Sequence, residues 1–276
     1  MTNHSHLLSP TRAGERLAVL VAEDNAVNME VARFHLADLG CISTGAVDGA
    51  EAVALLQQMP IDVILMDCEM PVMDGFTAAR RIRALEATGQ TPRTTIIAVT
   101  GTDDPTQREQ CSAAGFDGFL SKPFNVAQLR SALLVGTAEN SVAPQHCPDN
   151  TEGAFDRAAV CSFAAEFGLD TTPVLIGSFV KLLKESAARY TTSDASRNAA
   201  MLHALSHKLA GAAATVGASG LAAVARDIDR ACKNGSFAWR QQDARLAALL
   251  DTAIMAFEPL ATTEGLTRFL DRGAIA

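Results

Sequence analysis

The chain has 276 residues, 48% of them hydrophobic and 20% charged, a balance of ordinary globular material that excludes a disordered or fibrous protein. Its length suits about two domains, because single cores usually run to roughly 100–200 residues. The formal net charge is -8 and residues 17–136 carry 15 acids against 8 bases; with no stripe of Arg and Lys to meet phosphates, no nucleic-acid partner is expected.

Residues 1–16 lack the apolar core of a signal peptide and read as a flexible tail. From Leu17 short apolar runs alternate with helical patterns. The runs are LAVLVA (17–22), STGAV (43–47), VILMD (63–67), TIIAVT (95–100) and the weaker GFLSK (118–122), and the helical patterns are 26–39, 49–58, 77–86, 106–114 and 126–135. Five short strands separated by helices predict a doubly wound α/β domain over 17–136, with a five-stranded parallel sheet covered on both faces. Residues 137–154, rich in Pro, Gly, Asn, Ser and Thr without periodicity, read as a linker. Beyond it no strand pattern appears. Ala-rich helical patterns at 155–167, 171–190, 194–216, 219–233 and 239–258 predict an all-α helical bundle over 155–260, and 261–276 reads as a second tail. No apolar run approaches the ~20 residues of a membrane helix, so no membrane segment is expected. The six cysteines are scattered without a C-x-x-C pair, which suits a reduced, cytoplasmic setting.

The strand ends are polar. The first strand finishes in Glu23-Asp24, the third in Asp67, the fourth in Thr100 and the fifth in Lys122. In a parallel sheet these ends share one edge, where open α/β sheets bind ligands. Three converging carboxylates repel one another and call for a cation. Oxygen-only ligands select a hard ion, and a few carboxylates completed by water suit Mg²⁺. Lys122 would neutralise one side, and the Thr100 hydroxyl would donate to an added anion on or beside Asp67. Taken singly the parts have plainer readings: Glu23-Asp24 as a helix cap, Asp67 as a loop cap, Phe119 as a core aromatic.

The segments LVAEDNAVN, LMDCEMPVMDG, AVTG and FLSKPF, in this order from Leu17 to Gly136, resemble the receiver domain of two-component response regulators, a flavodoxin-like fold. The resemblance implies that Asp67 accepts a phosphoryl group from a phosphohistidine. It also implies that Glu23, Asp24, Asp67 and the backbone carbonyl of Glu69 hold Mg²⁺, that Thr100 and Lys122 contact the phosphoryl oxygens, and that Phe119 reorients with Thr100 as a switch. Gly101 stands where Ala is common, and Phe119 where Tyr is frequent.

In MLHALSHKLAGAAATVG (201–217), Leu202, Leu205, Leu209 and Val216 form an apolar ridge at helical spacing. His207 falls about 200° around the helix from Leu205 and from Leu209, on a face shared with His203, Ala210, Gly211 and Ala214. Small residues there suit close helix packing or the approach of another protein. The stretch SHKLAGAAATVGASGL resembles the segment around the phosphorylated histidine of histidine phosphotransfer (HPt) domains, which implies that His207 is a second phosphoacceptor. Ala210 departs from that pattern, standing where the family usually carries Lys; Lys208 is about 100° away and substitutes only in part.

Two phosphoacceptor modules predict a phosphorelay protein, partnered by a sensor histidine kinase and by a downstream response regulator or other receiver. No Gly-rich D-x-G-x-G stretch or Asn-bearing ATP lid is present, so a phosphoryl carrier without a kinase core is expected; the arrangement also fits the C-terminal part of a hybrid sensor kinase. Ala210 favours a second reading, in which phosphorylation of Asp67 switches a helical docking module that never carries phosphate. An exposed helix face of the first domain is compatible with a homodimer.

Overall fold

The structure, a computed structural model, describes residues 16–101, 105–135, 156–192, 199–236 and 239–271. The expected linker at 137–154 and all but the last residue of the expected tail at 1–16 lie outside the described residues. The chain divides into two compact units, residues 1–146 and 147–276.

The first unit is a five-stranded parallel sheet in the order β2-β1-β3-β4-β5, built from β1 (Ala18–Ala22), β2 (Ile42–Ala46), β3 (Val63–Asp67), β4 (Thr95–Thr100) and β5 (Gly118–Ser121). Helices α1 (Ala26–Asp38), α2 (Gly49–Gln58), α3 (Gly75–Ala87), α4 (Pro105–Ala114) and α5 (Val126–Val135) make the crossovers. The period of two along each strand divides the core. Val19, Val21, Leu65 and Ile97 face Leu36 of α1 and Leu129 of α5. Leu20, Ile64, Met66 and Ile96 face α2 and α3 through Leu56, Ala79 and Ile82. Both faces of β3 are therefore covered, and all five of its residues are buried, which explains why it reads as a continuous apolar run.

The chain turns into its helices through side-chain caps at the edge that carries the strand tips. Asn25 caps α1 by accepting from the Val27 N–H, so the cap is Asn25 rather than Glu23-Asp24. Asp48 caps α2 and Asp74 caps α3 in the same way. Gly75 opens α3 with its amide donating to the Cys68 carbonyl. A Cβ there would lie 2.1 Å from the Asp67 carbonyl oxygen, so only glycine lets α3 start this close to the end of β3.

The second unit is helical: α6 (Arg157–Thr192), α7 (Ala199–Val216), α8 (Ser219–Lys233), α9 (Trp239–Phe257), a 3-10 turn (Glu258–Ala261) and α10 (Thr263–Asp271). Gly168 is non-helical inside α6 (φ 75°, ψ 171°), so α6 is two helices, matching the predicted gap between 155–167 and 171–190. Among the described residues one helix, Arg157–Tyr190, is long and apolar enough to cross a membrane, where the sequence led us to expect none. Gly168 breaks it, and Phe163, Phe167, Leu175, Phe179 and Leu183 are buried, so much of its apolar content goes to the bundle core. Phe179 and Phe257 meet edge to face at 5.2 Å, joining α6 to α9. Helix α7 ends at Gly217 (φ 83°), with the Ala218 amide returning to the Ala213 carbonyl; this left-handed turn is a glycine C-cap.

One expectation is overturned. Residues 263–271, read as part of a tail at 261–276, form helix α10, with Leu266 fully buried. The Thr262 hydroxyl accepts from the Gly265 amide at the start of this helix. The Arg157 guanidinium sits 4.1 Å from the Phe269 ring centroid and also donates to the Phe269 carbonyl, tying α10 to the start of α6.

Candidate functional site

Two strand tips, those of β1 and β3, bring Glu23, Asp24 and Asp67 together, each offering a carboxylate oxygen within 4.8 Å of the others. Glu23 and Asp67 are buried, at 6% and 4% exposure, while Asp24 is half-buried. The Glu23 carboxylate accepts from the Asn25 amide and from the Asn28 side chain, which orients it. The Glu69 amide donates to Asp67 Oδ1 at 3.1 Å, so the turn after β3 holds the other end of the site.

Lys122, one residue past β5, reaches into this cluster. Its Nζ lies 2.6 Å from Asp67 Oδ2 and 2.5 Å from Glu23 Oε2. Burial pulls the ammonium pKa down, but Asp67 and Glu23 outweigh it and hold the group charged well above the usual lysine range. Burial pushes the Glu23 carboxyl up, Lys122 opposes this, and Asp67 and Asp24 add to the rise. The acids are thus packed more closely than one lysine comfortably neutralises. A hard divalent cation fits the donor set, because carboxylate oxygens converge where like charge is unfavourable.

Thr100 ends β4 and is 1% exposed. Its carbonyl accepts from the Lys122 amide at 2.7 Å, while its hydroxyl donates to Gln107 Oε1 on α4 at 3.1 Å. Phe119 on β5 lies apart from the carboxylates, packed with Phe76 and Phe116 against Cys68, Ala98 and Cys111. The Arg108 guanidinium of α4 stands 4.8 Å from its ring centroid. Both Thr100 and Phe119 are therefore engaged by α4, through Gln107 and Arg108, two residues that sequence reasoning did not single out.

His207 occupies the second unit, on α7. Its side chain is 26% exposed, so it stands less open than the outward face inferred from helical spacing, and Ala210 is buried at 8%. Helix α8 brings Asp229 alongside: Asp229 Oδ2 lies 3.7 Å from His207 Nδ1 and Oδ1 lies 2.7 Å from His203 Nδ1. Lys233 reaches the same carboxylate, with Nζ 2.9 Å from Oδ2. Sequence reasoning missed this pair; their i,i+4 spacing on α8 was the only signal available.

Residues 19–134 match the response regulator receiver domain and residues 169–256 match the Hpt domain. The hybrid signal transduction protein dokA of Dictyostelium discoideum is 41% identical over 124 residues, covering 44% of this chain and 7% of that protein. The virulence sensor protein BvgS of Bordetella pertussis is 31% identical over 224 residues, covering 77% of this chain and 18% of that protein. The chain therefore spans a small part of either relative. Among solved structures, the receiver domain of sensor histidine kinase PA1611 from Pseudomonas aeruginosa, which has a magnesium ion in its active-site cleft, is 38% identical, with a TM-score of 0.41, covering 45% of this chain and 100% of that one. A match to the Hpt domain over the bundle favours phosphotransfer over a docking module that carries no phosphate. The chain thus carries a member of the response regulator receiver domain family at residues 19–134, followed by a member of the Hpt domain family at residues 169–256.

Proposed function

We propose that Asp67 is the phosphoacceptor of the receiver domain, taking the group from a phosphohistidine of a sensor histidine kinase, and that His207 of the Hpt domain passes phosphoryl to or from a receiver. The observation that carries this reading is the Lys122 ammonium held between Asp67 and Glu23 at the strand tips. That charge stands where an anion added to Asp67 would need it. Phosphoryl transfer asks for in-line positioning and charge neutralisation more than for covalent machinery. Mg²⁺ bound by Glu23, Asp24, Asp67 and the Glu69 backbone carbonyl would supply further neutralisation of the phosphoryl oxygens. Lys122 turns toward the phosphoryl group, the Glu69 amide helps hold the Asp67 carboxylate, and the Thr100 hydroxyl leaves Gln107 to donate to a phosphoryl oxygen. Phe119 moves with Thr100 because α4 holds both. A response regulator of the same pathway would be the onward partner, and the receiver and Hpt domains would act in the cytoplasm as a carrier without a kinase core.

The test is transfer from a labelled, phosphorylated histidine kinase to the full chain in the presence of Mg²⁺. Asp67→Asn is expected to abolish label at the receiver, and chelation of Mg²⁺ to suppress it. His207→Gln is expected to keep the Asp67 label and to stop onward transfer to a second receiver. Persistent labelling of the Asp67→Asn receiver, or undiminished onward transfer by His207→Gln, refutes the respective assignment.

A further inference from the structure

Cys68 follows Asp67 at the end of β3 and Cys111 lies on α4, 43 residues later, yet their Sγ atoms stand 3.9 Å apart. Both are buried and both are free thiols. Buried cysteines often serve only as small hydrophobes, and this pair packs with Ala98, with Phe76, Phe116 and Phe119 against it. Two features set it apart. The sulfurs meet across two elements, and a disulfide at about 2.05 Å asks them to approach by only about 1.9 Å more. The two elements are also unequally held. The Cys68 amide donates to the Val99 carbonyl and the Cys68 carbonyl accepts from the Gly75 amide, so its backbone is fixed between β4 and the start of α3. Helix α4 buries only Cys111 and Ala114 of its ten residues. Cys111 is therefore one of two small side chains that seat α4 on the sheet.

We propose that Cys68 and Cys111 form an oxidisable thiol pair: a hydroperoxide joins them in a disulfide that clamps α4 to β3 and slows phosphorylation of Asp67. The second half of this statement rests on the reading of Asp67 as the phosphoacceptor. Gln107 lies four residues before Cys111, one turn away on the same face of α4, and accepts from the Thr100 hydroxyl at 3.1 Å. A phosphoryl group on Asp67 needs that hydroxyl, so Thr100 has to leave Gln107. A disulfide at Cys111 holds the turn that carries Gln107 against the sheet and keeps Thr100 engaged. The same turn carries Arg108, whose guanidinium stands 4.8 Å from the Phe119 ring centroid, so Phe119 is held with it. The oxidised chain stays in its unphosphorylated arrangement.

Access to the buried thiols comes from α4, because a helix seated by two small side chains opens locally at low cost. The oxidant has to be small, and hydrogen peroxide is little larger than water. In the open state Cys111 meets solvent and is partly thiolate at neutral pH, as an ordinary thiol is. Its sulfur attacks one peroxide oxygen; the S–O bond forms as the O–O bond breaks, and the displaced hydroxide takes a proton to become water. Cys111 is thereby oxidised by two electrons to a sulfenic acid. On closure the Cys68 thiolate attacks that sulfur. The S–S bond forms, the S–O bond breaks, and the hydroxide leaves as water with the proton that Cys68 gave up. Two thiols and one hydrogen peroxide give one disulfide and two waters. Exchange with a small dithiol, itself oxidised to a disulfide, restores both thiols.

The reduced full chain is treated with hydrogen peroxide, and its monomer band from a non-reducing gel is digested with trypsin. Cleavage after Arg80, Arg93 and Arg108 separates the two cysteines, so mass spectrometry should find their peptides joined, and a dithiol should part them. Cys41 shares the Cys68 peptide; Cys68→Ala should therefore lose the joined pair and Cys41→Ala keep it. Labelled acetyl phosphate with Mg²⁺ then reads the clamp, as the initial rate of alkali-labile label on Asp67. Oxidation should slow that rate about fivefold, the scale of one retained hydrogen bond, and a dithiol should restore it. Cys111→Ala should label at the same rate with and without peroxide, and Gln107→Ala, whose Thr100 hydroxyl is already released, should lose most of the slowing. Absence of the joined peptides from the oxidised native chain overturns the thiol pair. A joined pair with an unchanged labelling rate, or slowing that persists in Cys111→Ala, overturns the clamp. Label retained in Asp67→Asn refutes the phosphoacceptor reading instead, and leaves the peptide result to decide the thiol pair.

Discussion

His35 should add an acid-sensitive contribution to the stability of the receiver domain. This residue lies on the inner side of α1 at 2% exposure, its ring 6.1 Å from that of Phe124. A hydrogen bond to the Phe124 backbone ties it to the turn that follows Lys122. Burial pulls its pKa from 6.5 down to about 4, against the opposing effects of Asp38 and that backbone group. The native ring thus stays neutral at pH values where the histidine of the unfolded chain is already protonated. Between 6.5 and about 4 the unfolded state binds more protons, so the His35 contribution is full above 6.5 and drains away as the pH falls toward 4. Over that interval the loss is about 3 kcal/mol, at roughly 1.4 kcal/mol for each pH unit. His35→Gln keeps an N–H donor and removes the titration. The assay must read this domain alone, and Trp239 and Tyr190, the only Trp and Tyr, both lie outside 17–136. Hydrogen exchange of peptides spanning β1 and β3, corrected for intrinsic rates from pH 7 to pH 4, meets that need. Native protection should fall by roughly a hundredfold more than in the variant. Parallel profiles for the two proteins would refute the reasoning.

Lys122→Met leaves Glu23 and Asp67 buried against each other, and without Mg²⁺ should cost the receiver about 3–5 kcal/mol; exchange in β3 checks this, and added Mg²⁺ should recover part of it. Gln107→Ala releases the Thr100 hydroxyl from a neutral hydrogen bond of about 1 kcal/mol, so labelling of Asp67 by acetyl phosphate should quicken about fivefold. Gly75→Ala drives a Cβ to 2.1 Å from the Asp67 carbonyl oxygen, which should cost about 3 kcal/mol or more and remove Asp67 labelling together with protection of β3.

The receiver fold was legible because each of its signals is local. A strand buried on both faces is a continuous apolar run, a crossover helix has its own period, and parallel strands deliver their ends to one edge whatever the loops between them do. Glu23, Asp67 and Lys122 could therefore be placed together from strand boundaries alone. Which atoms they use was not legible: the contact of Lys122 with both carboxylates depends on the path after β5, and the Thr100 hydroxyl is held by a helix whose rotation no spacing encodes. Helix α10 was missed for a related reason. Nine residues are too few to hold a helix by propensity; what keeps TEGLTRFLD helical is the burial of Leu266 and the grip of Arg157 on Phe269, and those partners come from other elements. The Thr262 cap with Glu264 in the first turn was the one local sign.

The same distinction explains how far His207 could be read. Helical spacing placed it opposite Leu205 and Leu209, which is correct for α7 taken alone. It left the face bare because Asp229 lies 22 residues later, on a helix whose pairing with α7 depends on the glycine turn at Gly217. A motif records the residues that act within one helix, so losing its lysine at Ala210 looks like losing the charge. In a bundle the space around an imidazole is shared by two helices, and charge can be supplied from either. Lys233 stands one turn beyond Asp229 and reaches the oxygen that faces His207. A departure from a motif on one helix is therefore evidence of lost activity only after the facing helix has been searched for the missing group.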